Sequence, residues 1–156
     1  MLAALFLFAY GAPWAGAIAQ VPVQSQPLET FDWDRLDIVT KSGTRHAFRV
    51  EMAITSNQQS QGLQWRKNLA EDAGMLFDFG SPKPASFWMK NTFISLDMVF
   101  IAGNGEIVKI VRNTLPLSFE VIPSDVPVRA VLEVRAGTAA RLGFKPGDRV
   151  EHRIFQ

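Results

Sequence analysis

The sequence of 156 residues contains no cysteine. Disulfide bonds, thiolate catalysis and lipidation at a mature N-terminal cysteine are therefore excluded. Sixteen basic and fifteen acidic side chains give a formal net charge of +1, and no basic run is interleaved with aromatic residues. A surface of such mixed charge lacks the electrostatic footprint that nucleic acids require, so we expect no nucleic-acid partner.

Histidines are almost as scarce, with only His46 and His152 present. A catalytic zinc ion needs three protein ligands, and two of them are commonly histidines that lie close together on one element. Neither His-x-His nor His-x-x-x-His occurs here. A G-x-S-x-G nucleophile elbow is also missing. The sequence therefore predicts no metal site and no cofactor.

The chain has no charged side chain before Glu29. An apolar block, Leu2–Ala9, is followed by Pro13 and by the A-x-A triplet Ala17-Ile18-Ala19, an order typical of a secretory signal peptide cleaved after about Ala19. The alternative, an uncleaved membrane anchor, is disfavoured by Pro13. We predict a periplasmic or secreted protein without stable membrane insertion after cleavage. Its predicted parts are a signal peptide at 1–19, a flexible leader at 20–33 and a β domain at 34–156.

The hydrophobic pattern of the remaining chain predicts short strands separated by turns. The predicted strands span residues 36–40, 45–53, 75–78, 87–101, 107–112, 128–135 and 149–155. Thr55 and Gln58 have the spacing of a capping box, which predicts a helix from Ser56 to about Trp65, and a second short helix is predicted at Thr138–Leu142. The predicted fold is mainly β, a β-sandwich or open barrel of about seven strands with one or two short helices.

Six short motifs, in order along the chain, resemble the DUF192 family (also called UPF0127) of small, often exported prokaryotic domains. The motifs are GLQWRKNL, GMLFDF, FWMKNT, LDMVFI, VLEV and GFKPGDRV, and they cover about Ile38–Val150. The resemblance implies a compact, mainly β domain. Because no activity is established for the family, it implies no catalytic residue. Gln64 departs from the family pattern, which usually has methionine there.

Polar residues are concentrated in the otherwise apolar stretch FWMKNTFISLDMVFI, at 87–101. This stretch contributes a cation, an amide and an indole, and Arg66 near the predicted first helix adds a second cation. Such groups suit an anionic or sugar-like ligand. We therefore predict a ligand-binding site formed by Arg66, Trp88, Lys90, Asn91 and Asp97. Strand alternation puts Asn91 and Asp97 on one face and Lys90 on the other, and a bulge or bend near Asn91 would bring Lys90 and Asp97 to one side.

A structural role is the alternative for these polar residues. In that interpretation Asp97 pairs with Arg66 or Lys90, or accepts backbone N–H groups from the loop at 80–86, because an unpaired buried charge is costly. Glu133 and Arg135 share one face of a predicted strand, which is typical of a solvated ion pair along the strand or of ion pairs to a neighbouring strand. Alternatively, Glu133 and Asp97 form a pair of catalytic carboxyl groups.

Three functions follow from these patterns. The first, which we favour, is a non-catalytic module that binds a small anionic or sugar-like ligand or an envelope protein. The second is a cofactor-free hydrolase or lyase that uses Asp97 and Glu133 as acid and base. The third is a protein–protein interaction module that uses the segment 113–127, which has three prolines and no clear periodicity. Loops of that length inside compact domains are commonly functional or mobile.

Overall fold

The computed structural model describes residues 28–156, so the predicted signal peptide at 1–19 and most of the predicted leader lie outside the described residues. In chain order the elements are β1 (Asp32–Val39), β2 (Arg45–Ala53), α1 (Ser56–Gln61), β3 (Ala73–Lys83), β4 (Ser86–Phe87), β5 (Leu96–Ile101), β6 (Ile107–Val111), β7 (Ile122–Pro123), β8 (Val128–Arg135), α2 (Thr138–Leu142), β9 (Arg149–Glu151) and a 3-10 helix (Arg153–Phe155). Among residues 28–156, no helix is long and apolar enough to cross a membrane.

Seven strands form one sheet in the order β6-β5-β8-β3-β2-β1-β9, while β4 and β7 form a separate two-stranded sheet. The two edges of the large sheet meet, because the Ile107 amide donates to the Asp148 carbonyl at 2.8 Å and the Val150 amide donates to the Gly105 carbonyl at 2.7 Å. The sheet is therefore a nearly closed barrel. This confirms the predicted mainly β fold and its open-barrel form.

The residues of the central strand β8 divide between two hydrophobic cores. Leu132 and Val134 belong to a core that receives side chains from all seven strands and therefore fills the barrel. Val131 belongs to a second core, on the opposite face of the sheet, together with Met75 and Met98. Because successive strand residues face opposite sides, Glu133 faces the second core.

Local sequence signals place three elements at or close to their predicted bounds. β2 and α2 have the predicted limits, and α1 begins at Ser56 with both hydrogen bonds of the capping box present. The helix ends at Gln61, four residues earlier than predicted, because Gly62 adopts a positive φ of 50°. β1 begins at Asp32, four residues before the predicted start at Leu36.

The predicted continuous strand at 87–101 is wrong. β4 ends at Phe87 and β5 begins only at Leu96, with turns and bends between them. Asn91 has a φ of +54°, in the left-handed region that strands do not use. The alternation predicted for Asn91–Ser95 therefore does not exist, and the chain turns away from the sheet at this point.

Candidate functional site

A cleft of about 440 Å³ lies on the face of the sheet that carries the second core. Its walls come from α1 and the turn after it, from the end of β3, and from the segment around β4. Four aromatic side chains line it together with glutamine and serine side chains: Phe77, Phe79, Phe87, Trp88, Gln59, Gln61, Gln64, Ser56, Ser60 and Ser86. A concave, mostly preformed site with apolar walls and a few polar groups is the usual form of a small-ligand site.

The floor of this cleft contains one ionisable group, the carboxyl of Glu133. Strand register positions it, because Glu133 lies directly opposite Met75 of β3 and directly opposite Met98 of β5. Both methionines are fully buried, and Glu133 itself is 4% exposed. Within residues 28–156, the carboxyl has no hydrogen bond to another side chain or backbone group and no ion pair.

Burial without a partner changes the chemistry of Glu133. Desolvation penalises the ionised form and raises the pKa of Glu133 from 4.5 to about 8. At neutral pH the group is therefore mostly a neutral carboxylic acid, which both donates and accepts hydrogen bonds. The predicted solvated ion pair with Arg135 is wrong, since Arg135 lies 3.8 Å from the Glu71 carboxylate instead.

Two predicted site residues, Trp88 and Lys90, lie together at the cleft. The Lys90 ammonium is 5.4 Å from the centroid of the Trp88 ring, within the range of a cation–π contact. Trp88 remains 49% exposed, so its indole is available to a ligand. Lys83, which also lines the cleft, has a similar position 5.0 Å above the Phe79 ring.

Asn91 does not line the cleft but is hydrogen-bonded to residues of its wall. Its side-chain amide donates to the Gln64 side-chain oxygen at 3.0 Å, and the Asn91 carbonyl accepts the Trp65 amide at 2.7 Å. Gln64 lines the cleft and also donates to the Ser60 carbonyl. The residue that departs from the family pattern is therefore a polar link between two walls of the cleft.

Arg66 and Asp97 do not line the cleft. Arg66 pairs with the buried carboxylate of Glu51 at 2.7 Å. Asp97 is fully buried and accepts two backbone N–H groups, those of Asn113 at 2.9 Å and Ala139 at 2.8 Å. Asp97 thus holds the start of α2 and the backbone that follows β6. The prediction that it accepts N–H groups from the loop at 80–86 is wrong.

Several cleft residues were missed by the sequence analysis, above all Phe77, Phe79 and Gln59. Phe77 belongs to the second core, Phe79 packs against it, and both also reach the cleft. Gln59 donates to the Asp78 carbonyl at 2.8 Å and so joins α1 to β3. No local signal marked these residues, because the cleft is assembled from segments that are distant in the sequence.

The segment 113–127 forms an exposed apolar surface beside the cleft. Its large side chains are exposed by 51–71% at Leu115, Leu117, Phe119 and Val121. The segment is nevertheless tied to the cleft wall, since the Met89 amide donates to the Ser118 carbonyl and the Leu117 amide donates to the Thr92 carbonyl. Leu117 has a φ of +61°, which is strained for a leucine and holds this turn in an unusual conformation.

Comparison with known proteins identifies relatives over most of the chain. The DUF192 family model, described as an uncharacterised ACR, matches residues 38–152. A crystal structure from Sinorhizobium meliloti 1021, reported as that of a candidate transcription regulator, is 47% identical, with a TM-score of 0.78 over 79% of this chain and 95% of its own. A protein of unknown function from Novosphingobium aromaticivorans is 40% identical, with a TM-score of 0.76 over 81% of this chain and 90% of its own. No curated protein matches significantly.

Proposed function

The chain belongs to the DUF192 family, and we propose that this member is an exported, non-catalytic module that binds a small sugar-like ligand in the cleft above Glu133. One observation carries the proposal, namely a buried carboxyl group without a hydrogen-bond partner at the floor of an aromatic-walled cleft. The oxygens of that carboxyl group are not among the fully buried side-chain atoms without a partner in residues 28–156, so they open to the cleft, where a hydrogen-bond partner can reach them. A ligand hydroxyl group provides that partner.

The walls of the cleft suit a sugar ring. The exposed indole of Trp88 offers a flat apolar surface against which the C–H face of a sugar packs. Glutamine and serine side chains around it offer both donors and acceptors to hydroxyl groups. The volume of about 440 Å³ falls within the range of small-molecule sites and accommodates one or two sugar units.

A binding role fits these groups better than catalysis by two carboxyl groups. Among the described residues that line the cleft, Glu133 has the single carboxyl side chain. Asp97, the other carboxyl group of the predicted catalytic pair, lies opposite Val134 in the register and therefore faces the barrel interior. Two carboxyl groups on opposite faces of a sheet cannot flank one glycosidic bond, as a glycosidase requires.

An NMR titration with sugars tests this proposal. The purified protein, labelled with ¹⁵N, is titrated with a panel of neutral and acidic mono- and disaccharides at millimolar concentrations. We expect one or more sugars to shift the amide signals of Gln59–Gln64 and Ser86–Thr92 and the indole signal of Trp88. Trp88→Ala should weaken binding at least tenfold.

Trp33 provides a matched control for that variant. It is 52% exposed, close to the 49% of Trp88, but it contacts Arg49 and does not line the cleft. Trp33→Ala should leave the titration unchanged. Absence of shifts with every sugar, or equal losses in the two variants, overturns the proposal.

A second candidate function is favoured by the exposed apolar side chains of the segment 113–127. Leu115 and Phe119 are 71% and 68% exposed on either side of the turn at 116–117, and exposed apolar clusters of this kind commonly mark protein contacts. An envelope protein is the expected partner for an exported chain. Crosslinking in cells through a photoreactive residue at position 119 tests this function, with the exposed position 28 as a control; an identical crosslink pattern at both sites would count against it.

A further inference from the structure

The cations of the cleft have no internal counter-charge. Lys83 and Lys90 are its two basic residues, and neither forms an ion pair within residues 28–156. Each ammonium lies instead above an aromatic ring, at 5.0 Å from Phe79 and 5.4 Å from Trp88. Stacking on a ring orients a lysine without neutralising its charge.

Other charged groups in the neighbourhood are paired. Glu51, which shares the sheet face of Glu133 two strands away, pairs with Arg66. Asp78, between Phe77 and Phe79, pairs with Arg129. Arg135, on the same face of β8 as Glu133, lies 3.8 Å from Glu71. Among residues 28–156, the two lysines and Glu133 are therefore the ionisable groups of this region without an ion pair.

Glu133 does not supply the missing negative charge. Its neighbours across the sheet are Met75 and Met98, which offer neither a donor nor a charge to stabilise a carboxylate. The group is therefore mostly protonated at neutral pH, and the cleft carries a net positive charge from its two lysines. A neutral acid is also a good donor to an anion, because an O–H···O⁻ hydrogen bond is charge-assisted.

From these contacts we infer that the ligand is an acidic sugar, a hydroxylated ring bearing a carboxylate, which the lysines Lys83 and Lys90 select by charge while Glu133 stays protonated beneath it. This inference rests on the proposed function, since it names the class of sugar that the same cleft binds. Binding of an anion disfavours ionisation of Glu133. Above neutral pH, where part of the Glu133 population is ionised, binding therefore takes up a proton.

Isothermal titration calorimetry with three matched probes tests the inference. D-glucuronic acid carries the charge, D-glucuronamide has nearly the same shape without it, and D-glucose lacks the group. We expect the acid to bind about tenfold or more tightly than the amide, as one charge-assisted contact provides. Lys83→Met or Lys90→Met should remove most of that preference, whereas Lys67→Met, an exposed lysine outside the cleft, should not.

Proton uptake gives an independent readout. Near pH 8 about half of the Glu133 groups are ionised, so the binding heat of glucuronic acid should differ between phosphate and Tris buffers by the equivalent of up to about half a proton. Glu133→Gln can neither take up nor release a proton, so its binding heat should be the same in both buffers. The same dependence in the Gln variant would overturn the role given to Glu133.

The outcomes separate the inference from the proposed function. Equal affinity for acid, amide and glucose means that the cleft binds sugars without selecting charge, which overturns the inference and leaves the proposed function intact. No binding of any of the three probes, together with no response to the wider sugar panel, overturns both. The inference is also overturned if the double variant Lys83→Met/Lys90→Met still binds D-glucuronic acid as tightly as the wild type does.

Discussion

Asp97 and Glu133 lie on neighbouring antiparallel strands and face opposite sides of the same sheet. Asp97 is opposite Val134, whose side chain fills the barrel, whereas Glu133 is opposite Met98, in the second core. Both carboxyl groups are buried, but only that of Asp97 is hydrogen-bonded within residues 28–156. Neighbouring strands therefore hold one carboxyl group with a structural role, that of Asp97, and one without a hydrogen-bond partner, that of Glu133.

Asp97→Asn should destabilise the protein at neutral pH. The amide keeps one acceptor oxygen, so either the Asn113 or the Ala139 amide loses its charged partner in a buried site. The expected loss in unfolding free energy is roughly 2–3 kcal/mol. Urea titration measures it, and Lys90→Met, which removes a partly exposed cation, should change stability by less than about 0.5 kcal/mol. Equal losses in both variants would assign Lys90 a structural role as well.

Glu133 should make stability decrease with rising pH. Its pKa is raised from 4.5 to about 8, so between these values the folded state holds a proton that the unfolded state has released. The contribution of Glu133 is therefore fully present below about pH 4.5 and is lost as the pH rises through about 8, with a slope of up to about 1.4 kcal/mol per pH unit. Unfolding titrations of the wild type and Glu133→Gln isolate it, because the other groups titrate in both proteins. Parallel pH profiles would contradict the raised pKa.

Arg66→Met should destabilise the protein by leaving the Glu51 carboxylate buried without its partner. Since the Arg66 side chain is 35% exposed, water compensates part of the loss, and we expect about 1–3 kcal/mol rather than the cost of a fully buried pair. The double variant Arg66→Met/Glu51→Gln should recover most of that stability in urea titration. A double variant no more stable than Arg66→Met would indicate that Arg66 acts by packing.

Gly74→Ala should disturb the floor of the cleft. A Cβ atom at Gly74 would lie 2.6 Å from the Glu133 backbone oxygen, so β3 and β8 would have to separate. The expected cost is roughly 1–3 kcal/mol. Gly103→Ala is the control, because its nearest contact is the Pro82 ring at 3.2 Å, and it should cost less. Thermal unfolding ranks the two, and a more stable Gly74→Ala variant would contradict this close strand contact.

Much of the fold could be predicted because its signals are local. The capping box of Thr55 and Gln58, the alternation in β2 and the glycine after α2 each depend on a few adjacent residues. The strand at 87–101 was predicted too long because the break in it depends on contacts between residues distant in the sequence. Its apolar pattern continues through Asn91, but the left-handed conformation of that residue is fixed by contacts with Gln64 and Trp65, which lie far away in the sequence.

The candidate site was predictable only in part. Trp88 and Lys90 were found because they are polar or amphipathic residues in an apolar stretch, and they do line the cleft. Asp97 was predicted in the site as another polar residue of the same stretch, but it accepts two backbone N–H groups and does not line the cleft. The burial of Glu133 beneath the cleft could not be predicted, because its surroundings depend on the register of β3 and β5 against β8, which no single strand encodes.

Measurement of the Glu133 pKa with and without a sugar tests the central proposal most directly. The ¹³C signal of the Glu133 side-chain carboxyl, assigned by its absence in Glu133→Gln, is followed by NMR from pH 4 to 10. We expect a midpoint near 8 in the free protein and a shift to higher pH on addition of D-glucuronic acid. A midpoint near 4.5, unchanged by every sugar in the panel, would contradict the assignment of this cleft as the ligand site.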